Sequence, residues 1–295
     1  MVNSKSYFSL NGQPVVDHLP LSLLSDRGLA YGHGLFETIL LHQSELPLID
    51  RHLSRLVCGA NILNIPVKST LIEQYLNLFL EQLESEAITD GVVKVVFTAG
   101  VGGRGYEPPS KIEPTIICSY SALPRDIAIY RKEAIAVRYC QHRLPTHCAL
   151  AGIKHLNRLD QVLARNEWSS EKFQEGLMFN ASDHLVEAIS ANVFMKNIAG
   201  DWITPCLKHS GVSGVMRSLL MEEIFPACDI PISVAQITKD QLAKCQQLVV
   251  CNSVKGLMPV HSIYNHREQL VKSLLIEPQT LMLSETLTAL FPPYR

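Results

Sequence analysis

The stretch Leu150-Ala151-Gly152-Ile153-Lys154-His155-Leu156-Asn157-Arg158-Leu159, with Glu187-Ala188-Ile189-Ser190-Ala191-Asn192-Val193-Phe194 further on, decides how this chain is read. A lysine in a turn of small residues, just ahead of a predicted helix, is placed to act as a Schiff-base amine. A carboxylate just before a strand could hold a pyridinium nitrogen. Pyridoxal phosphate chemistry requires that pairing, because the ring nitrogen must stay protonated to act as an electron sink. On residue types alone, the commoner reading of Lys154 is a solvated side chain beside a helix. The order and context of the other motifs shift that weighing.

Length and composition set the outer bounds. A chain of 295 residues can build a large core and two domains. Hydrophobic content of 47% beside 18% charged residues describes an ordered globular protein. With 26 basic and 28 acidic residues the net charge is −2, which argues against a general nucleic-acid surface. A local basic pocket for a small anion stays open. No apolar run is long enough for a membrane span, so none is expected. Met1-Val2-Asn3-Ser4-Lys5-Ser6 lacks the basic-then-apolar pattern of a signal peptide. The eight cysteines include no C-x-x-C pair and read as reduced, core-filling residues of a cytoplasmic protein.

Hydrophobic patterning predicts a strand at Tyr7 to Leu10 that ends in an Asn11-Gly12 hairpin turn. Asp50 is expected to cap a helix running to about Asn64, with Leu53, Leu56, Val57 and Ala60 on its buried face. A second helix is expected from Thr70, with Leu71, Tyr75, Leu78 and Phe79 inward. Val92 to Thr98 and Thr115 to Tyr120 read as buried strands. Residues 121–126 read as a linker between a smaller N-terminal domain, 1–120, and a larger C-terminal domain, 127–295, that carries Lys154. Beyond it the pattern predicts a strand at Ala134 to Tyr139, a helix from Leu156 to Trp168 and strands near Leu177, Val186 and Val193. A helix near Ser213 and a strand at Gln247 to Cys251 follow. Short strands mixed irregularly with helices favour an α+β fold with mixed sheets over a doubly wound one.

Several motifs have competing readings. Gly100-Val101-Gly102-Gly103-Arg104-Gly105 is a literal G-x-G-x-x-G, but a dinucleotide site needs a helix to start there, and Pro108-Pro109 forbids it. The alternatives are a solvated loop or a glycine loop presenting Arg104 to a carboxylate. Cys140, His142, His147 and Cys148 lack the spacing of a standard zinc site, and no metal is expected. The segment Ser210 to Arg217 can bind an anion at a helix start, or it can be simply a capped helix. Asp26 to Thr38 is glycine-rich and then turns into a strand, and its His33 and Thr38 could line a pocket.

Taken in order, these stretches resemble the fold type IV pyridoxal phosphate enzymes. The marks are Asp26-Arg27-Gly28 through Phe36-Glu37-Thr38, then His52-x-x-Arg55-Leu56, Lys154, Glu187-x4-Asn192-x-Phe194, and Ser213-Gly214-Val215-Met216-Arg217. Gly91 to Val96 with Gly102 to Tyr106, Leu150 to Leu159, and Cys251-Asn252 with Met258 to Val260 are most similar to the family's lyase members. The resemblance implies pyridoxal 5'-phosphate carried by Lys154, with Glu187 at the ring nitrogen and Asn157 near the ring hydroxyl. It implies phosphate contacts from Arg55, from the backbone N–H groups of Val215 and Met216, and from Ser253. Thr38 would supply a catalytic hydroxyl, and Arg104, His33 and Tyr106 would meet the substrate. The implied activity is elimination from 4-amino-4-deoxychorismate to give 4-aminobenzoate and pyruvate, in a homodimer. The alternative is transamination of a small branched-chain or D-amino acid at the same cofactor.

Overall fold

The structure is a computed structural model that describes residues 7–15, 20–124, 126–146 and 149–295. It divides into two units: 1–124 with 153–157, and 125–152 with 158–295. His147, Cys148 and the segment Met1 to Ser6 lie outside the described residues.

The first unit is built on an antiparallel sheet. Its strands are β1 (Tyr7–Leu10), β2 (Gln13–Pro14), β3 (Gly34–Leu41), β4 (Gly91–Thr98) and β5 (Thr115–Ser121), in the order β2-β1-β5-β4-β3. Asn11 and Gly12 both take positive φ, as the tight β1–β2 hairpin requires. Helix α1 (Arg27–Tyr31) precedes β3, and α2 (Ile49–Ile62) and α3 (Ser69–Ser85) follow it. The N-cap of α2 is Leu48, not Asp50. Asp50 instead sits in the first turn, where its charge complements the helix dipole. Helix α2 buries His52, Leu53, Leu56, Gly59 and Ala60. Gly59 has no Cβ because Leu35 Cδ2 would stand 2.9 Å from it.

Helix α3 departs from its predicted face. Ile72, Leu76, Phe79 and Leu83 are buried, whereas Leu71 and Leu78 are exposed. The physical reason is visible at the hairpin: Tyr75 and Leu78 pack against Gly12, so this part of the helix covers the β1–β2 turn.

The second unit carries a mixed sheet. Its strands are β6 (Ile135–Leu144), β7 (Glu175–Asn180), β8 (His184–Ala188), β9 (Asn192–Lys196), β10 (Trp202–Pro205), β11 (Ile232–Ala235), β12 (Ile237–Thr238), β13 (Gln247–Asn252), β14 (Gly256–Tyr264) and β15 (Leu270–Ser273). The order is β11-β10-β9-β13-β14-β6-β7-β8-β12, with β15 also on β14. The pairs β10–β11, β14–β6 and β6–β7 are parallel. Val137, Leu177, Phe179, Val193, Val250 and Ile263 form the centre of its core. The helices are α4 (Ile127–Glu133), α5 (Leu159–Arg165), α6 (Val215–Leu219), α7 (Phe225–Ala227), α8 (Lys239–Lys244) and α9 (Pro278–Leu290). A π turn, Leu220–Ile224, joins α6 to α7. Pro226 lacks the N–H that a regular helix would use at this point, which accounts for the wider turn.

Two expectations around Lys154 are corrected. The predicted helix from Leu156 is only Leu159–Arg165, because the chain before it is extended and pairs with β3. Phe36 N–H donates to Lys154 O and Leu156 N–H to Gly34 O, each at 3.0 Å. These bonds cover the edge of β3 and tie 153–157 to the first unit, whereas the lysine was expected with the C-terminal domain.

Candidate active site

Lys154 lies in this extended segment, and its Nζ stands 4.2 Å from the centroid of the Phe36 ring. Beside it β3 presents Glu37 in a buried cluster. Arg55 donates from Nε to Glu37 Oε1 at 2.8 Å and from Nη2 to Oε2 at 2.5 Å. His52 Nδ1 lies 2.6 Å from the same Oε2. His52 and Arg55 reach one carboxylate because their spacing of three puts both on one face of α2. Burial raises the Glu37 pKa, but the Arg55 charge and the bonds from His52 and Arg55 win and hold it down at about 2. Burial pushes the His52 pKa down, and the charges of Arg55 and Lys154 push the same way. His52 is therefore a neutral donor to Glu37, and its buried Nε2 has no protein partner.

Arg55 was expected to hold a phosphate. The fork to Glu37 uses two of its five N–H groups and fixes the guanidinium plane. Thr38 pairs across the sheet with Lys94, whose Nζ stands 5.1 Å from the Phe36 centroid. Glu37 and His52 stood in the sequence only as parts of family marks, and none of Glu37, His52 and Lys94 was given a role there. The available signal was polarity out of place: a glutamate inside Phe36 to Leu41, and a lysine that interrupts Val92 to Phe97.

The first unit also holds the residues expected to meet a substrate. Arg104 and Tyr106 are exposed, Tyr106 at 89%. No helix starts between Val101 and Pro114, in keeping with the paired prolines. His33 differs from expectation. Its Nδ1 accepts from Arg27 Nε at 3.3 Å and its Nε2 faces Leu63 O at 3.0 Å, so the ring is part of the scaffold. Asn157 differs too: its Nδ2 donates to Gly32 O at 3.2 Å, and a Cβ on Gly32 would overlap its Oδ1. That amide is committed to the turn before β3.

In the second unit Glu187 is buried at the end of β8. Its Oε2 accepts the Val212 N–H at 2.8 Å, and Gln161 Nε2 lies 3.4 Å from Oε1. The Gln161 Oε1 atom is buried without a protein partner. Asn192, at the start of β9, donates from Nδ2 to Val212 O at 2.9 Å. The glutamate and asparagine of the second motif thus grip both polar groups of one residue. The turn they hold leads into α6, which starts at Gly214 with no side-chain cap. The first N–H groups of a helix have no intrahelical partners, so Val215 and Met216 offer donors to an anion. Arg217 anchors the helix through Nε to Thr204 Oγ1 at 3.1 Å. Ser253 lies in a turn closed by Asn252 Oδ1, which accepts the N–H groups of Val254 and Lys255.

The donor set fits pyridoxal phosphate. Within the first unit the amine of Lys154 and the forked Arg55 suit its aldehyde and phosphate, and within the second the buried Glu187 carboxylate and the uncapped start of α6 suit its ring nitrogen and phosphate. The orphaned Gln161 Oε1 beside Glu187 marks a polar place that the protein itself does not fill. Among the described residues no group of three His, Cys, Asp or Glu side chains could hold a metal.

The model of amino-transferase class IV matches residues 34–263. The chain belongs to this family. Within class IV it is similar to aminodeoxychorismate lyase of Vibrio harveyi, with 31% identity over 87% of this chain and 91% of the relative. It is also similar to the crystal structure of 4-amino-4-deoxychorismate lyase from Pseudomonas aeruginosa, with a TM-score of 0.86 and 34% identity over 96% and 98% of the two chains. A hypothetical aminotransferase from Mycobacterium tuberculosis in its PLP-bound form shares the fold, with a TM-score of 0.81 at 15% identity over 98% and 100%. This class IV chain therefore has the fold type IV architecture, with α+β units.

Proposed function

We propose that this protein is a pyridoxal 5'-phosphate-dependent 4-amino-4-deoxychorismate lyase. It would release 4-aminobenzoate and pyruvate, a step toward folate. The observation that carries the reading is the 34% identity to the Pseudomonas aeruginosa lyase across nearly the whole of both chains.

When bound, pyridoxal phosphate supplies an electron sink for the pair left as substrate C4 loses its proton. Lys154 would carry the cofactor, and its amine is the base that would take the C4 proton. Glu187 keeps a proton at the ring nitrogen, with one oxygen fixed by Val212. Arg55, oriented by Glu37 and His52, and the Val215 and Met216 N–H groups hold the phosphate, with Ser253 as a further contact. The Asn157 amide, tied to Gly32, fixes the turn next to Lys154. Thr38 or Lys154 gives a proton to the departing enolpyruvyl group. The substrate carries two carboxylates, and two cations are available for them: Arg104, and Lys94 across the sheet from Thr38. Tyr106 flanks the Arg104 loop.

A cytoplasmic homodimer completes the proposal. Leu21 (83% exposed), Leu24 and Leu29 give the first unit an apolar surface for a second copy to cover. No helix among the described residues is long and apolar enough to cross a membrane.

Transamination of a small branched-chain or D-amino acid is the second reading, favoured by the family model itself. The cofactor-loaded protein given 4-amino-4-deoxychorismate should form 4-aminobenzoate and pyruvate in equal amounts. It should turn over D-alanine with 2-oxoglutarate far more slowly. Transamination without 4-aminobenzoate would overturn the lyase reading.

A further inference from the structure

Residues 101–107 contain three glycines with positive φ, at 102, 103 and 105, and belong to no helix or strand. A segment of this composition has no conformation of its own to prefer. It is nevertheless tightly held, from below. Arg27, only 3% exposed, is the first residue of α1 and points its guanidinium into the loop. Nη1 donates to Gly102 O, Gly105 O and Glu107 O at 3.3, 3.1 and 3.2 Å, and Nη2 donates to Tyr106 O at 2.9 Å. Its Nε donates to His33 Nδ1. The guanidinium also lies 5.0 Å from the Tyr31 ring centroid, and Tyr31 in turn packs on Tyr106 with centroids 5.5 Å apart.

The base of this arrangement is equally fixed. Arg27 N–H donates to Gly100 O, and the Asp26 carboxylate accepts from Gly28 N–H and Thr98 Oγ1. At the top, Arg104 and Glu107 exchange both of their backbone hydrogen bonds at 3.2 Å. Glu107 O thus serves Arg104 N–H and Arg27 Nη1 together. A Cβ on Gly103 would stand 2.8 Å from Arg27 Nη1, so that glycine is what lets the loop close on the guanidinium.

We propose that Arg27 is the positioning residue of the substrate loop: four backbone carbonyls converge on its buried guanidinium, and this sets where Arg104 stands. The proposal rests on the reading of Arg104 as a substrate-carboxylate ligand. Arg27 itself need not touch substrate. Only a flat fork with several N–H groups can serve carbonyls on two of its sides, and a lysine ammonium cannot span them. Substrate recognition would then depend on a residue that is far from Arg104 in sequence.

Arg27→Lys tests this in the cofactor-loaded enzyme, with Gly103→Ala as a second variant that crowds the same cage and leaves Arg27 in place. Trypsin should cut the Arg104–Gly105 bond at least about tenfold faster in both variants, because cleavage follows loop opening. KM for 4-amino-4-deoxychorismate should rise by roughly tenfold, as for Arg104→Ala, with kcat and pyridoxal phosphate affinity within about twofold of wild type. In an Arg104→Ala background, Arg27→Lys should raise KM no further. Wild-type tryptic rates in both variants would overturn the proposal, as would a parallel fall in cofactor affinity and thermal midpoint, which marks a merely structural role. Wild-type KM in Arg104→Ala would instead overturn the carboxylate reading of Arg104, while the tryptic rate still reports whether Arg27 orders the loop.

Discussion

Glu37 shows how a single buried carboxylate can fix the geometry of its neighbours. It accepts from Arg55 twice, which fixes the guanidinium plane, and it faces His52, whose burial lowers its pKa against the opposing pull of the Glu37 charge. Removing its charge takes away the carboxylate that Arg55 and His52 share. Glu37→Gln should therefore destabilise the first unit by about 3–5 kcal/mol at pH 7 and weaken pyridoxal phosphate binding through Arg55. The sign of the pH dependence follows from linkage. The folded pKa of about 2 lies below the ordinary value of 4.5, so this stabilisation is complete above about pH 4.5 and is lost as pH falls toward 2. Urea titrations of wild type and variant at pH 7, 4 and 3 should show the gap narrowing with acid; a constant gap would contradict the assignment. His52, with its lowered pKa, adds acid sensitivity of the same sign below its ordinary 6.5. The sequence showed His52-x-x-Arg55 and Phe36-Glu37-Thr38 as separate marks. Their meeting depends on how α2 packs on β3, which no local pattern records.

At the scale of elements, the turn from Ser210 to Gly214 is held by β8 and β9 through Glu187 and Asn192, which take the N–H and the C=O of Val212. Gly152 adds backbone bonds to Gly211 O and from Ser213 N–H, at 2.9 Å each. A Cβ on Gly214 would overlap Asn192 Oδ1. Gly214→Ala should displace the start of α6 and weaken pyridoxal phosphate binding by roughly tenfold or more, the loss expected for one charge-assisted contact. Adding Asn192→Ala should cost less than the sum of the two single changes, because the clash partner is gone. Spectroscopic titration with the cofactor measures both effects, and strict additivity would argue against the overlap. The two motifs were legible in the sequence as Glu187-x4-Asn192 and Ser213 to Arg217. That one clamps the other was not, since the contact spans two strands. Element boundaries failed for a related reason. Leu156 looked helical by spacing, but its N–H is used by Gly34 O.

At the scale of the whole molecule, the strands of both sheets were mostly visible as apolar runs, but their order was not. Strand β14 pairs in parallel with β6, more than a hundred residues earlier, and neither β14 nor α9 was expected as an element, although Met258 to Val260 within β14 was read as a family mark. The most consequential non-local event is the return of 153–157 to the first unit, where Lys154 joins Phe36, Glu37 and Lys94. If Lys154 is the residue that carries the cofactor, Lys94, also over Phe36, is the natural control. Borohydride reduction of the cofactor-loaded protein, followed by digestion and mass analysis of the peptides, decides between them. The expected result is a pyridoxyl phosphate adduct on the peptide containing Lys154, absent from Lys154→Ala. An adduct on Lys94 or another lysine, or one that persists in Lys154→Ala, would contradict it.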